Sequence, residues 1–266
     1  MTDRFHNPFQ LDDDQEPETE LTEEKVFAFI REMIILQENE ADVEETTTEI
    51  THSPGGRAIS IFAPESYEEN YAYPLVIWLH GHGGSEQDID DMMAGISTQN
   101  YLGLSFRGNR TLASGYTGEF SWSNNEEAFT EFRDDLFETV RVLRESYHVH
   151  SERIFLAGVD AGADLALRLL LDRPEWFAGA FSIGGSLPQN DQPLARYRDL
   201  QGKQVLLASG SQDGLTPVLR MASTGRLLHT AGMNISSRVF DAGQEPTPEM
   251  LSLANEWVMG GICTAV

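Results

Sequence analysis

The sequence has one cysteine, Cys263, and few basic residues, with 18 Lys and Arg against 43 Asp and Glu. A single thiol excludes an intrachain disulfide and any metal site built from cysteines. The chain shows no basic stretch followed by an apolar one near its start, and no apolar run approaches the roughly 18 to 20 residues that span a bilayer. We therefore expect a soluble, cytoplasmic protein with no membrane partner.

The shortage of basic residues leaves a formal net charge of -25. About half of this charge lies in the first fifty residues, in acidic runs such as Asp12–Glu16. Such runs repel one another and have little apolar surface to bury, so we predict a disordered acidic tail over residues 1–20. An acidic surface of this size also repels nucleic acid and anionic lipid, and neither is expected as a partner. The plainer explanation of this acidic composition is a halophilic or simply soluble surface.

Residues 21–45 are predicted to form a helix and a linker. Apolar residues recur at helical spacing from Leu21 to Gln37, and Thr22 is placed to cap the helix. A polar stretch then runs to Glu45.

From residue 46 onward, strand-like and helix-like segments alternate. Predicted strands cover 46–52, 58–63, 75–79, 101–105, 153–157, 179–183, 204–209 and 236–240, and predicted helices cover 125–147, 161–172, 217–231 and 248–259. Such alternation is typical of βαβ units. We predict a single α/β domain over residues 46–266, with a mostly parallel sheet and helices on both faces.

The run Gly158-Val159-Asp160-Ala161-Gly162 joins a predicted strand directly to a predicted helix. Small residues fit such a sharp turn, which lifts its central side chain above the sheet. The free N–H groups and the dipole of the following helix favour a negative charge there. Asp160 is therefore a candidate functional carboxylate, and the alternative is that it only caps the helix.

A glycine-rich loop, His80-Gly81-His82-Gly83-Gly84-Ser85, follows the predicted strand 75–79. Glycines let a backbone approach a ligand and leave N–H groups free to hold a developing oxyanion. The candidate oxyanion or pocket residues are Gly81, His82, Gly83, Gly84 and Ala161. As an alternative, His80 and His82 are spaced as metal ligands, but no third ligand lies nearby. We expect no metal and no cofactor.

Together these segments resemble the carboxylesterase/phospholipase-like branch of the α/β hydrolases, which includes acyl-protein thioesterases and feruloyl-esterase-like enzymes. The resemblance covers about residues 73–259 and implies the α/β-hydrolase fold. In that branch a G-x-x-D-x-x-x-P segment carries the triad acid, and Asp213 matches it within Gly210–Pro217. The base is a histidine in a G-H-x-x pattern, and Gln244 stands at that position. The nucleophile position holds Asp160. Alternatively, Asp213 serves only as a turn residue.

Two triad positions thus depart from the esterase pattern. Glutamine cannot accept and return a proton near neutral pH, so Gln244 cannot be a general base. Epoxide hydrolases and haloalkane dehalogenases of this fold use an Asp nucleophile, yet they need a histidine to hydrolyse its ester. The sequence favours a hydrolase-family protein without ordinary serine-esterase activity that binds an ester-like or other small ligand or acts in regulation. The alternatives are an active hydrolase using Asp160 or a rearranged base, and a partner-binding role for the acidic N-terminal segment. The oligomeric state is not indicated.

The three triad positions are expected to meet at the carboxyl end of the sheet, where open α/β folds bind ligands. Two carboxylates in one pocket repel, which predicts a proton shared between Asp160 and Asp213 or a cationic or hydroxyl-rich ligand. Ser85 and Ser186 border this region without an evident base. An aromatic wall of Tyr116, Phe120 and Trp122 is one interpretation of the segment around residue 120, and a loop packed on the core is the other.

Overall fold

The computed structural model describes residues 48–112, 119–187, 196–214 and 218–264. All of them belong to a unit that spans residues 46–266. The predicted acidic tail, the predicted helix at 21–37 and Tyr116 lie outside the described residues.

Eight strands form one sheet, in the order β1-β2-β4-β3-β7-β8-β9-β10. Its strands are β1 (Thr48–His52), β2 (Ala58–Phe62), β3 (Tyr73–Leu79), β4 (Leu102–Phe106), β7 (Val149–Val159), β8 (Gly179–Ile183), β9 (Gln204–Gly210) and β10 (Asn234–Phe240). β1 pairs antiparallel with β2, and β2 pairs antiparallel with β4. Every pairing from β4 across to β10 is parallel, which confirms the predicted sheet.

Helices cover both faces, as predicted. They are α1 (Ile89–Ile96), α2 (Glu126–Ser146), α3 (Ala161–Asp172), the short α4 (Tyr197–Leu200), α5 (Val218–Thr230) and α6 (Pro248–Thr264). α2, α3 and α5 contribute to one hydrophobic core, and α1 and α6 contribute to the core on the opposite face. No described helix is both long enough and apolar enough to cross a membrane.

The sequence analysis did not predict α1 or the two-stranded ribbon of β5 (Arg110–Thr111) and β6 (Phe120–Ser121). α1 has only eight residues, of which three are buried. Each ribbon strand has two residues. Segments this short have too few residues to show a recognisable hydrophobic period.

The register of β3 explains why its sequence is apolar throughout. Every β3 residue is buried. Ile77 pairs with Leu156 and belongs to one core, whereas Trp78 pairs with Ala157 and belongs to the other. Successive side chains alternate between faces, and a strand covered on both faces must therefore be apolar at every position. The last pair, Leu79 with Gly158, brings together the ends of β3 and β7.

Candidate active site

Asp160 occupies a sharp turn between β7 and α3. With φ 50° and ψ −118°, it is the only non-glycine residue with positive φ in the described chain. A β-carbon on Gly162 would overlap the carbonyl oxygens of Leu79 and His80, so the predicted need for small residues is met here. Backbone strain of this kind costs on the order of 1–3 kcal/mol. The Asp160 side chain makes no capping hydrogen bond to α3, and the helix-cap alternative therefore lacks its defining contact.

The Asp160 carboxylate faces the glycine-rich loop. Its Oδ2 accepts the backbone N–H of His82 in a long hydrogen bond of 3.4 Å. The N–H of Gly83 instead donates to the carbonyl of Phe120 at 2.9 Å, and that of Gly84 donates to the carbonyl of Gly81 at 3.3 Å. Of the predicted oxyanion donors, Gly83 is thus engaged with β6 and Gly84 within the loop, and the His82 donor is directed at Asp160.

His80 supports the loop and is no metal ligand. Its Nδ1 lies 2.8 Å from the carbonyl oxygen of Gly81, and its Nε2 accepts the N–H of Gly108 at 2.9 Å. This pairing requires a neutral ring protonated on Nδ1, in keeping with burial, which lowers the pKa of His80. No described group of three His, Cys, Asp or Glu side chains is arranged to hold a metal ion.

Phe120 and Trp122, the described residues of the predicted wall, serve the loop and the core. Trp122 is buried, and its Nε1–H donates to the carbonyl of His80 at 2.8 Å, so its assignment to a ligand wall is wrong. Phe120 is half-buried, with the guanidinium carbon of Arg107 4.6 Å from its ring centre. Cation–π contact and backbone pairing account for Phe120 without a ligand.

At the end of the loop, Ser85 and the following Glu86 are structural. The Ser85 hydroxyl accepts the N–H of Gln87 at 3.2 Å as a cap, which explains this serine without catalysis. Glu86 is fully buried and pairs through two hydrogen bonds with Arg107. Burial alone would raise the pKa of Glu86, but the Arg107 guanidinium outweighs it and holds that pKa below its usual range.

His82 is the exposed histidine of the loop. Its ring Nδ1 lies 3.1 Å from the hydroxyl of Ser121, which itself is buried. Within the described part of the chain, no histidine ring nitrogen makes a hydrogen bond to Asp160. The sequence analysis placed His82 among the oxyanion or pocket residues, with a metal ligand as the alternative, and gave its ring no catalytic role.

The loops that carry Asp213 and Gln244 pack against each other. The N–H of Gln212 donates to the carbonyl of Ala242 at 2.9 Å, and a β-carbon on Gly210 would overlap Gly243. Asp213 is buried and Gln244 half-buried. No described hydrogen bond joins either side chain to Asp160, so the structure brings the two loops together but does not link all three side chains.

Asp164 is a site residue that the sequence analysis missed. It lies one helical turn after Asp160, and its Oδ1 accepts the N–H of Ser186 at 2.5 Å. Burial, with the charge of Asp160 adding to it, raises the pKa of Asp164 to about 6. The i, i+4 spacing of the two aspartates was the available signal. The proton predicted to be shared between Asp160 and Asp213 stays a prediction.

The comparisons with known proteins agree on one family. A model of the phospholipase/carboxylesterase family matches residues 65–258. NocK of Nocardia uniformis subsp. tsuyamanensis, named as an esterase, is 28% identical over 66% of this chain and 51% of its own length. MhqD of Bacillus subtilis, named as a hydrolase, is 26% identical over 72% of this chain and 95% of its own. The chain thus spans about half the length of the first of these relatives.

A further relative is the probable feruloyl esterase C of Aspergillus clavatus, 29% identical over 58% of this chain and 46% of its own length. Among solved structures, a Bacillus cereus carboxylesterase superposes with a TM-score of 0.62 at 23% identity, covering 77% of this chain and 94% of that one. A Mesorhizobium loti carboxylesterase gives 0.66 at 14% identity, covering 81% and 100%. These structures share the fold, and the family match over most of the domain establishes that the chain belongs to the phospholipase/carboxylesterase family of α/β hydrolases.

Proposed function

We propose that the protein binds a small ester, or the acid derived from it, at the carboxyl end of the sheet without hydrolysing it through a Ser-His-Asp triad. One observation carries this proposal: the Asp160 carboxylate accepts the His82 N–H, a donor that a serine esterase would keep for the oxyanion of its substrate. A fixed negative charge at that point opposes a second one. Gln244 also argues against hydrolysis, because a glutamine cannot transfer the proton that acyl transfer requires.

The relatives suggest the class of ligand. Their names refer to esterases and a hydrolase, and one refers to feruloyl esters. Ethyl ferulate and ferulate are therefore suitable probes, since they share an aromatic body and differ in the charge of the acyl end. We expect ethyl ferulate to bind and to be recovered unchanged.

The test compares wild type with the double variant Asp160→Ser/Gln244→His, using short-chain p-nitrophenyl esters, a fluorophosphonate probe and calorimetry with ethyl ferulate. Wild type should bind ethyl ferulate, give no hydrolysis above buffer and take no label. The double variant should gain labelling at position 160, and Asp160→Ser alone should gain less. Hydrolysis by wild type that disappears in Asp160→Ala would contradict the proposal.

A second function is favoured by one contact, the pairing of the exposed His82 ring with Ser121. Here Asp160 is the nucleophile of a slow hydrolase and His82 is the rearranged base. The His82 N–H binds one carboxylate oxygen of Asp160, which leaves Oδ1 free to attack. The same N–H would then hold the carbonyl oxygen of the resulting intermediate.

This second function predicts a trapped intermediate in His82→Gln. With p-nitrophenyl acetate, Asp160 Oδ1 bonds to the acyl carbon and p-nitrophenolate leaves, and a water that gives one proton to His82 then splits the anhydride into acetic acid and the free Asp160 carboxylate. Wild type should then turn over, and His82→Gln should release one equivalent of p-nitrophenolate and stop. His229→Gln, a histidine change on α5, is the control. Equal turnover in all three proteins would exclude His82 as the base.

A further inference from the structure

Asp164 lies where three parts of the fold meet. It is in the first turn of α3, on the same side of the helix as Asp160 one turn before it. Its carboxyl holds the segment after β8, because it accepts the backbone N–H of Ser186 at 2.5 Å and also hydrogen-bonds the Ser186 side chain. Asp164 is half-buried in this position.

The charged groups around Asp164 come from each neighbouring element. Asp160 at the start of α3 repels its ionised form, and Arg220 on α5 attracts it. Asp213, on the loop after β9, lies next to Gly184 in the segment after β8, since a β-carbon on Gly184 would be 3.2 Å from Asp213 Oδ2. Loss of water contact, together with the charge of Asp160, exceeds the stabilising contacts and raises the pKa of Asp164 to about 6.

We propose that Asp164 is a specificity-determining residue of this site. It carries the site's exchangeable proton, and the presence of that proton decides whether an anionic ligand is accepted beside Asp160. When Asp164 is protonated, Asp160 is the one charged aspartate of the pair. The positive charge of Arg220 is then less neutralised by Asp164. With Asp164 ionised, two carboxylates one helical turn apart face the ligand. This inference rests on the proposed binding of an ester or its acid.

The physical expectation differs for the two probes. A carboxylic acid such as ferulic acid is ionised above about pH 5, so its carboxylate meets the second charge as Asp164 loses its proton. Charges several ångströms apart in a partly buried site interact by roughly 1 kcal/mol, which corresponds to about a fivefold to tenfold change in affinity. Ethyl ferulate has no charge to repel, and its affinity should change less than about twofold.

The experiment measures the Kd of ferulate and of ethyl ferulate by calorimetry from pH 5.5 to 7.5. Wild type should lose about fivefold to tenfold in affinity for ferulate, with a midpoint near pH 6, and the loss should vanish in Asp164→Asn. Asparagine keeps an oxygen that accepts the Ser186 N–H but cannot ionise. Glu131→Gln, which removes the same charge from an exposed position of α2, should behave as wild type.

The possible failures are distinct. If neither probe binds at any pH, the proposed binding function is wrong, and this inference falls with it. If ethyl ferulate binds but ferulate affinity does not depend on pH, or depends on pH equally in Asp164→Asn, only the role of Asp164 is wrong. A thermal unfolding curve of Asp164→Asn at pH 5.5, matched to wild type, guards against loss of binding through misfolding.

Discussion

Asp164 and Glu86 are two carboxyl groups removed from water whose pKa values move in opposite directions. For Asp164, burial dominates and the neighbouring Asp160 adds to it, so the pKa rises to about 6. For Glu86, the paired hydrogen bonds from Arg107 overcome an even more complete burial, and the pKa falls. The hydrogen-bonded guanidinium of Arg107, rather than depth, therefore accounts for the opposite directions of these two shifts.

Asp164 should make wild type less stable as the pH rises. Its folded pKa lies above its unfolded value near 4, so the folded state holds an extra proton between about pH 4 and 6. The stability from this proton is complete below pH 4 and is lost as the pH passes 6, and we expect a decline of about 1–2 kcal/mol after allowance for partial exposure. Urea unfolding of wild type and Asp164→Asn at several pH values measures the difference. A difference between the two proteins that is constant from pH 4 to 7 would count against the raised pKa.

Removal of Arg107 should destabilise the fold by leaving a buried charge without its partner. We expect Arg107→Gln to lower the free energy of unfolding by about 2 kcal/mol at pH 7, less than for a wholly buried pair because Arg107 is partly exposed. The loss should shrink as the pH falls and Glu86 takes up a proton. Arg141→Gln breaks an exposed pair on α2 and serves as the control, with no measurable change expected. A pH-independent loss would show that packing, rather than charge, is the cause.

At the scale of elements, the sequence predicted those segments that are long enough for their hydrophobic pattern to repeat. β3, β7 and α2 were all recognisable, and the turn at Asp160 followed from its small neighbours. Asp164 was not recognisable as a site residue, because its burial depends on Ser186, 22 residues later in the chain. The occupied N–H groups of Gly83 and Gly84 were likewise invisible, since their pairing with β6 and within the loop is set by tertiary packing.

The contact of α3 with β3 leaves no room for a side chain at Gly162. We expect Gly162→Ala to cost about 2–3 kcal/mol, because its β-carbon would overlap the backbone oxygens of Leu79 and His80, which cannot move aside. Gly260→Ala, in α6, meets no atom within 4 Å and should be neutral or slightly stabilising. Thermal unfolding of both variants tests this. Equal stability would mean that α3 shifts at little cost.

At the scale of the whole molecule, a net charge of -25 should make stability depend on salt. Repulsion among like charges opposes the compact state, and about 1 M NaCl shortens the screening length to roughly 3 Å. We expect the Tm to rise by several degrees between 10 mM and 1 M NaCl. Scanning calorimetry in NaCl and in KCl separates screening from specific ion binding, because screening alone predicts equal shifts. A Tm that falls with salt would mean that attractive pairs dominate.

The pairing of Leu79 with Gly158 limits how the two halves of the site can move relative to each other. The glycine-rich loop begins where β3 ends, and the Asp160 turn begins where β7 ends, so their separation is fixed by two hydrogen-bonded central strands. A shift of one residue between these strands would displace the two halves by about 3.3 Å and exchange their faces. The contact between His82 and Asp160 therefore cannot be broken by a slip between β3 and β7 that leaves the sheet intact.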